Sequence, residues 1–164
     1  MQIKVLGASG GINAGIHTTA FLLDEDTLID AGTGACNLPL AVQQGIEQVF
    51  LTHAHLDHFL ASGQLKEKTG ATLHLHKEDQ FLWDNLEMQC GLFGVPYTPV
   101  PPPDRWLADD EELACGCGVA LHTPGHTPGS MSFWFSESKL LIAGDTLFRR
   151  GVGRTDLWGG DQAT

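Results

Sequence analysis

The sequence has 164 residues, the length of one domain, and 42% of them are apolar, enough to bury a core. Its net charge of −11 excludes the basic surface that a phosphate backbone requires, so we expect no nucleic-acid partner. No apolar run has the length of a membrane span, so we expect no membrane partner.

The cysteines bear on the compartment. Cys36, Cys90, Cys115 and Cys117 form neither a disulfide framework nor a C-x-x-C zinc pair, which predicts free thiols. Met1–Gly10 also lacks the layout of a signal peptide. We therefore expect a cytoplasmic protein.

The first half of the chain reads as short strands separated by turns. Strands are predicted at Gln2–Leu6, His17–Leu23 and Thr27–Asp30, and the last two form a hairpin. Between the first two strands, Gly7–Gly11 predicts a loop near a functional site, with a simple tight turn as the alternative. Asp30 follows an apolar strand, so its carboxylate is placed to support a neighbouring loop.

The segment Thr52–His58, with the sequence T-H-A-H-L-D-H, follows a strand predicted at Ile46–Leu51. His53 and His55 are two residues apart, so they point the same way in an extended chain. Asp57 is placed as the N-cap of a helix that runs to Lys68, and His58 follows it. Imidazoles and a carboxylate that face one point predict a site for zinc, manganese or iron.

The middle of the chain carries fewer polar signals. Thr72–His76 predicts a strand whose histidines, His74 and His76, are expected at the surface or partly buried. Lys77–Cys90 resembles a helix, and the proline-rich Gly91–Asp104 predicts a loop. That loop either helps to form a substrate pocket or only connects two elements.

Two more polar residues follow predicted strands in the second half. His126 lies in the turn Pro124–Ser130 after a strand at Val119–Thr123, and Asp145 follows the hairpin strand Leu140–Ala143. Open sheets present functional groups at such strand ends. Spacing alone does not link these residues to Thr52–His58.

The motifs T-H-A-H-L-D-H, H-T-P-G-H-T-P-G-S and G-D-T-L-F, in this order, resemble the signature of the metallo-β-lactamase superfamily. The resemblance implies a single α/β domain over residues 1–164, a four-layer αβ/βα sandwich. It implies two divalent metals, with zinc expected and iron or manganese as alternatives. The residues it implies as ligands are His53, His55 and His126 at the first site, Asp57 and His58 at the second, and Asp145 as the bridge. His122 does not match a ligand position and is expected to be structural.

Within the superfamily, the second half is similar to the glyoxalase II-like branch through its run G-D-T-L-F-R-R-G-V-G-R-T-D. The first half, through L-G-A-S-G-G-I and L-I-D-A-G-T-G, is similar to class II cyclic-nucleotide phosphodiesterases. The family pattern continues with a strand and a G-H-G histidine beyond Thr164. We therefore expect the C-terminal part of the domain to be missing, the second metal site to be incomplete, and an exposed sheet edge to favour a homodimer.

The branch resemblance implies a thioesterase of the hydroxyacylglutathione hydrolase kind, in which a metal-bound hydroxide beside Asp57 attacks the thioester. The alternatives are a mononuclear iron persulfide dioxygenase using His53, His126 and Asp145, a cyclic-nucleotide phosphodiesterase, and an inactive fragment. The expected substrate is a small anionic thioester held by Arg149 and Arg154. Ion pairs of these arginines with acidic neighbours are the alternative.

Overall fold

The computed structural model of the chain describes residues 1–10, 12 and 15–164. Gly11, the last residue of the predicted loop Gly7–Gly11, lies outside the described residues. The strands are β1 (Ile3–Gly7), β2 (Ala20–Leu23), β3 (Thr27–Ile29), β4 (Gln48–Phe50), β5 (Thr72–His76), β6 (Arg105–Leu107), β7 (Glu111–Glu112), β8 (Val119–His122), β9 (Met131–Phe135), β10 (Leu140–Ile142), β11 (Leu147–Phe148) and β12 (Gly151–Val152). The α-helices are α1 (Leu40–Gln43), α2 (Leu56–Phe59), α3 (Ser62–Thr69), α4 (Gln80–Asp84) and α5 (Leu86–Phe93), and short 3-10 helices cover Thr33–Asn37 and Lys77–Asp79.

The strands form two main sheets. The first has the order β1-β2-β3-β4-β5-β6; β1 to β3 pair antiparallel and β3 to β6 pair parallel. The second has the antiparallel order β10-β9-β8-β7, and β11 and β12 form a separate hairpin. Because β3 and β4 run parallel, the loops that follow them leave the sheet at the same edge.

Alternation along the strands of the first sheet places its two faces in different cores. Leu28 and Val49 belong to the core under the helices, whereas their neighbours Ile29 and Phe50 belong to the core shared with the second sheet. Phe133 is fully buried on the opposite side of that second core. The described chain thus forms a helical layer, a first sheet and a second sheet, which are three of the four layers of the predicted sandwich and confirm its mixed α/β class.

The helix predicted from Asp57 to Lys68 is divided into α2 and α3. The carbonyl of His58 accepts a hydrogen bond from the backbone N–H of Ala31 (2.7 Å), and Ala61 N–H donates to the carbonyl of Ala31 (2.8 Å). These tertiary bonds replace the i to i−4 bonds that would join the two helices. His55, not Asp57, is the residue that precedes the helix, and Asp57 lies in its first turn.

The prediction of four free thiols is wrong for two of them. Cys115 and Cys117 are joined by a disulfide, whereas Cys36 and Cys90 are free. The two bonded residues flank Gly116, whose φ of +65° turns the chain sharply enough for them to meet. Within the described residues, no helix is both long enough and apolar enough to cross a membrane.

Candidate metal centre

Three histidines from two loops meet at the edge of the first sheet. One donor atom from each of His53, His55 and His126 lies within 4.8 Å of the other two. The ring centroids of His53 are 4.8 Å from those of both His55 and His126, and the planes are nearly perpendicular. His55 and His126 are 71 positions apart in the sequence, and the structure brings them into one cluster with His53.

A second group shares a member with the first. Donor atoms of His53, His58 and Asp145 also lie within 4.8 Å of one another. Asp145 lies between the two groups, because its Oδ1 is 3.4 Å from His58 Nε2 and its Oδ2 is 3.7 Å from His126 Nε2. Asp57 Oδ2 is 3.7 Å from His58 Nε2. All six predicted ligands therefore lie close together, with the carboxylate of Asp145 between His58 and His126.

Asp30 supports this cluster from behind, as predicted. Its fully buried carboxylate accepts hydrogen bonds from the backbone N–H of Thr52 (2.8 Å) and from the Thr52 hydroxyl (2.9 Å). His58 Nδ1 lies 2.8 Å from Asp30 Oδ2 and donates to it, which leaves Nε2 facing the cluster. Asp30 has a φ of +58°, a left-handed conformation that aspartate tolerates better than most residues and that aims its side chain at the loop.

Asp79, which the sequence analysis did not single out, connects the two loops that carry histidines. Its fully buried carboxylate accepts hydrogen bonds from Ala54 N–H (2.9 Å), the Thr127 hydroxyl (2.8 Å) and Gly129 N–H (2.6 Å). Burial raises the pKa of Asp79, although the hydrogen bond from Ala54 and the other two oppose that shift. Only tertiary contacts identify this residue, because its partners lie 25 to 50 positions away.

Gln89 is a further support that the sequence analysis missed. Its side-chain oxygen accepts from Leu56 N–H (3.0 Å), and its Nε2 donates to the carbonyls of Ala54 (3.0 Å) and Leu82 (2.9 Å). The backbone on both sides of His55 is therefore bonded to one buried side chain. Such supports fix the orientation of the histidines.

His126 is oriented by the loop that follows Asp145. Its Nδ1 lies 2.7 Å from the carbonyl oxygen of Arg154 and donates to it, so Nε2 carries the lone pair. That Nε2 faces His55 Nδ1 at 2.9 Å. Gly153 makes this approach feasible, since a Cβ at that position would overlap the carbonyl of Asp145.

The cluster has the chemistry of a divalent-metal site. Among the described residues, the buried Nε2 atoms of His53 and His58 have no hydrogen-bond partner, an arrangement that is costly in a protein interior. Burial, and to a smaller extent His58, lower the pKa of His53 well below its usual value. Burial, and to a smaller extent His126, lower the pKa of His55 to about 3. Metals bind neutral imidazoles. The residues present therefore fit a divalent cation.

The acidic members of the cluster have different environments. Burial raises the pKa of Asp57, and the nearby His58 only partly offsets that effect. Burial also acts to raise the pKa of Asp145, but the nearby histidines, His58 first, together outweigh it and the pKa falls below its usual value. For His58, burial lowers the pKa, but Asp30 and the other carboxylates raise it well above the usual range. The charges that favour a proton on His58 would also favour a bound cation.

The cluster forms the floor of a cavity of about 400 Å³. His55, Asp57, His126 and Asp145 line the floor, and the walls are mostly apolar. The large apolar side chains in these walls are Ile12, Leu56, Leu82, Met88, Leu92, Phe93, Phe148, Leu157 and Trp158. Two of them, Leu92 and Phe93, lie in the predicted loop Gly91–Asp104 but belong to α5, so only the beginning of that segment contributes to the cavity.

The two predicted substrate-binding arginines differ. Arg154 lines the cavity and forms a two-point ion pair with Asp156, with both N–O distances 2.9 Å. Arg149 is exposed and is not among the residues that line the cavity. The alternative prediction, an ion pair with an acidic neighbour, is therefore observed for Arg154.

Comparison with known proteins places this centre in a family. The sequence model of the metallo-beta-lactamase superfamily matches residues 17–164. The hydroxyacylglutathione hydrolase GloC of Haemophilus influenzae is 38% identical over 144 residues, which cover 84% of this chain and 68% of that protein. A Bacillus subtilis protein named "Probable metallo-hydrolase YqgX" is 42% identical over 120 residues, 71% of this chain and 56% of the relative. The chain thus spans between about half and two thirds of these relatives.

Among solved structures, TTHA1623 in a di-iron-bound form superposes with a TM-score of 0.78 and 32% identity. The match covers 93% of this chain and 79% of that one. The similarity therefore extends over nearly all of the fold that positions the histidines.

Proposed function

The chain belongs to the metallo-beta-lactamase superfamily, and from this membership and the geometry of the centre we propose that it is a metal-dependent hydrolase of acyl thioesters. Members of the superfamily are mostly hydrolases and bind divalent metals. The observation that carries the proposal is the convergence of four histidines and Asp145, with two unpaired buried Nε2 atoms, at the floor of a cavity. The similarity to a hydroxyacylglutathione hydrolase favours a thioester among possible substrates.

In this proposal the metals are zinc, with iron or manganese as alternatives. His53, His55 and His126 would hold the first ion, Asp57 and His58 the second, and Asp145 both. Such ions lower the pKa of coordinated water toward about 7 and polarise a carbonyl oxygen. Nitrogen and carboxylate donors suit all three metals, so the donor set alone does not select one.

The chain's own residues contribute position and proton transfer. Asp57 lies on the cavity floor, where its carboxylate can accept the proton of the attacking water. The departing thiolate needs little protonation, because the pKa of a thiol is near 8.5. The apolar walls, including Phe93 and Trp158, offer an apolar contact surface for the acyl group.

The first test is thiol release from a hydroxyacylglutathione by chelated protein, before and after addition of zinc, iron or manganese. We expect turnover only with metal, and none from His126→Ala under the same conditions. His17→Gln, a change of an exposed histidine outside the centre, serves as the matched control. Metal-loaded protein that releases no thiol from any thioester would contradict the proposal.

The same preparation separates the alternative functions. Oxygen uptake with a persulfide in the iron-loaded protein would favour the dioxygenase, for which His53, His126 and Asp145 supply two imidazoles and a carboxylate. Hydrolysis of a cyclic nucleotide would favour the phosphodiesterase. Absence of all three activities would favour a non-catalytic role.

A further inference from the structure

A second group of metal-ligating side chains lies outside the candidate metal centre. His76 ends β5, Glu78 lies in the 3-10 helix that follows, and His122 ends β8. One donor atom from each lies within 4.8 Å of the other two. Because β5 belongs to the first sheet and β8 to the second, this cluster joins the two sheets.

The ring of His122 is held in the orientation typical of a metal ligand. Its Nε2 lies 2.8 Å from the carbonyl oxygen of Pro128 and donates to it. The proton is therefore on Nε2, and Nδ1 carries the lone pair. Histidines that bind metals usually donate their other ring N–H to a carbonyl or a carboxylate in this way.

The two imidazoles of the cluster are stacked. Their centroids are 4.1 Å apart with an interplanar angle of 21°, so two protonated rings would repel each other strongly. Burial, and then His122, lowers the pKa of His76, although Glu78 and Asp109 partly oppose this shift. His76 Nδ1 accepts a long hydrogen bond of 3.4 Å from the backbone N–H of Glu78. Because a metal lies in the plane of the imidazole that binds it, ligation requires the partly exposed ring of His76 to turn out of the stack.

Negative charge surrounds the stacked rings. Glu78 Oε2 is 3.9 Å from His122 Nε2, and Asp109 accepts a hydrogen bond of 2.8 Å from the backbone N–H of His122. No lysine or arginine forms an ion pair with either carboxylate in the part of the chain that the structure describes. Imidazoles beside carboxylates that no lysine or arginine neutralises form an environment that attracts a cation.

We propose that His76, Glu78 and His122 form a separate binding site for a borderline transition metal such as Zn²⁺, with water completing the coordination. Two imidazoles and one carboxylate suit zinc, copper and nickel. Metal–ligand bonds of about 2.0–2.2 Å require the donor atoms to approach more closely than 4.8 Å. The Glu78 carboxylate faces Nε2 of His122 and must turn toward Nδ1, which its 59% exposed side chain can do without repacking the core.

The position of this site connects it to the catalytic loops. Glu78 precedes Asp79, which bonds to both histidine-bearing loops, and His122 bonds to Pro128 in the turn that carries His126. A cation here would tie together the same two segments that Asp79 joins. Because a ligand that binds only the folded state stabilises it, occupancy raises the melting temperature.

The test is a Zn²⁺ titration of the full chain by equilibrium dialysis, in wild type and in the variants His76→Gln, Glu78→Gln, His76→Gln/Glu78→Gln and His17→Gln. We expect the double variant to bind one zinc fewer than wild type, and each single variant to bind that zinc at least tenfold more weakly. His17→Gln controls for the general loss of a surface histidine and should match wild type. Glu78 is exposed, so Glu78→Gln remains informative even if changes at His76 impair folding.

A second readout is the melting temperature as zinc is raised beyond saturation of the tighter site. Wild type and His17→Gln should show a further increase, and Glu78→Gln should not. Equal zinc stoichiometry in all five proteins would overturn the proposal. So would an equal loss in His17→Gln, since that result would indicate non-specific binding to surface histidines.

Discussion

The carboxylate of Asp79 accepts a hydrogen bond of 2.9 Å from the backbone N–H of Ala54, the residue between His53 and His55. The same carboxylate accepts hydrogen bonds from the Thr127 hydroxyl and from the Gly129 N–H, both in the turn that follows His126. One buried acid therefore sets the relative position of two loops that supply three of the candidate ligands.

The first prediction is that Asp79→Asn weakens metal binding without removing a ligand. The amide has one acceptor oxygen, so its NH2 group must face at least one backbone N–H. We expect a loss of about 1–3 kcal/mol in the free energy of unfolding and a loss of about 10–100-fold in metal affinity. Urea denaturation and competition with a chelator measure the two effects, and Asp84→Asn, at an exposed position, should change neither.

The second prediction concerns His126 as a ligand of the tighter metal. His126→Ala removes the imidazole whose Nε2 faces His55, so metal affinity should fall by more than the 10–100-fold typical of an outer partner. Elemental analysis after dialysis against a chelator measures the loss. Unchanged metal content, at a concentration that leaves wild type loaded, would show that His126 is not a ligand.

The third prediction is that Asp145→Asn keeps the fold but lowers metal content and activity together. Asp145 is half-buried and lies 3.4 Å from His58 and 3.7 Å from His126, so a neutral amide there provides a weaker ligand to both groups. Circular dichroism, metal analysis and a thioester assay test this. Glu137→Gln, in an exposed turn, is the control. Wild-type turnover and stoichiometry in Asp145→Asn would exclude the bridging role.

The fourth prediction is a pH dependence of stability that originates at His74. This ring is 1% exposed, stacks on Phe50 at 4.3 Å and bonds to Gln48 at 2.7 Å, and burial lowers its pKa to about 4. The folded pKa is below the unfolded value of 6.5, so the unfolded chain binds more protons between these values. Stability is then fully present above pH 6.5 and falls as the pH drops toward 4.

His74→Phe, which keeps a ring on Phe50, should remove that dependence. We expect wild type to lose about 2 kcal/mol more than the variant between pH 7.5 and pH 5.0. Urea denaturation of metal-free protein at the two pH values measures the difference. His17→Gln should behave as wild type, and identical pH dependence in His74→Phe would show that His74 is not the source.

The fifth prediction separates the two arginines. Arg154 lines the cavity and Arg149 does not, so only Arg154→Met should affect an anionic substrate. Because Arg154 is exposed and paired with Asp156, we expect a modest increase of about two- to fivefold in KM for a glutathione thioester, with kcat unchanged. A neutral thioester should show no change with either variant. An equal effect of Arg149→Met would contradict this assignment.

Much of the site could be predicted because its signals are local. The apolar strand ending at Leu51 and the polar residues directly after it placed His53, His55, Asp57 and His58 at a strand end. His126 and Asp145 carried the same signal after later strands, and the order of the motifs linked them through the family resemblance.

Apart from the disulfide between Cys115 and Cys117, which are two positions apart, the parts that failed depend on partners distant in sequence. The helix after Asp57 is interrupted because Ala31 takes its hydrogen bonds, and no pattern within the helix records that competition. Asp79 and Gln89 lie in a segment with weak helical periodicity, and their function comes only from loops 25 to 50 residues and 33 to 35 residues away.

The sequence by itself thus determined which donor groups the protein offers and at which strand ends they lie, since spacing and residue type are local properties. Only the tertiary structure decided which nitrogen of His58 and of His126 faces the centre, because the carboxylate of Asp30 and the carbonyl of Arg154 hold the other ring nitrogens. It also brought His76 and His122 together, because two sheets must pack face to face before residues 46 positions apart can stack.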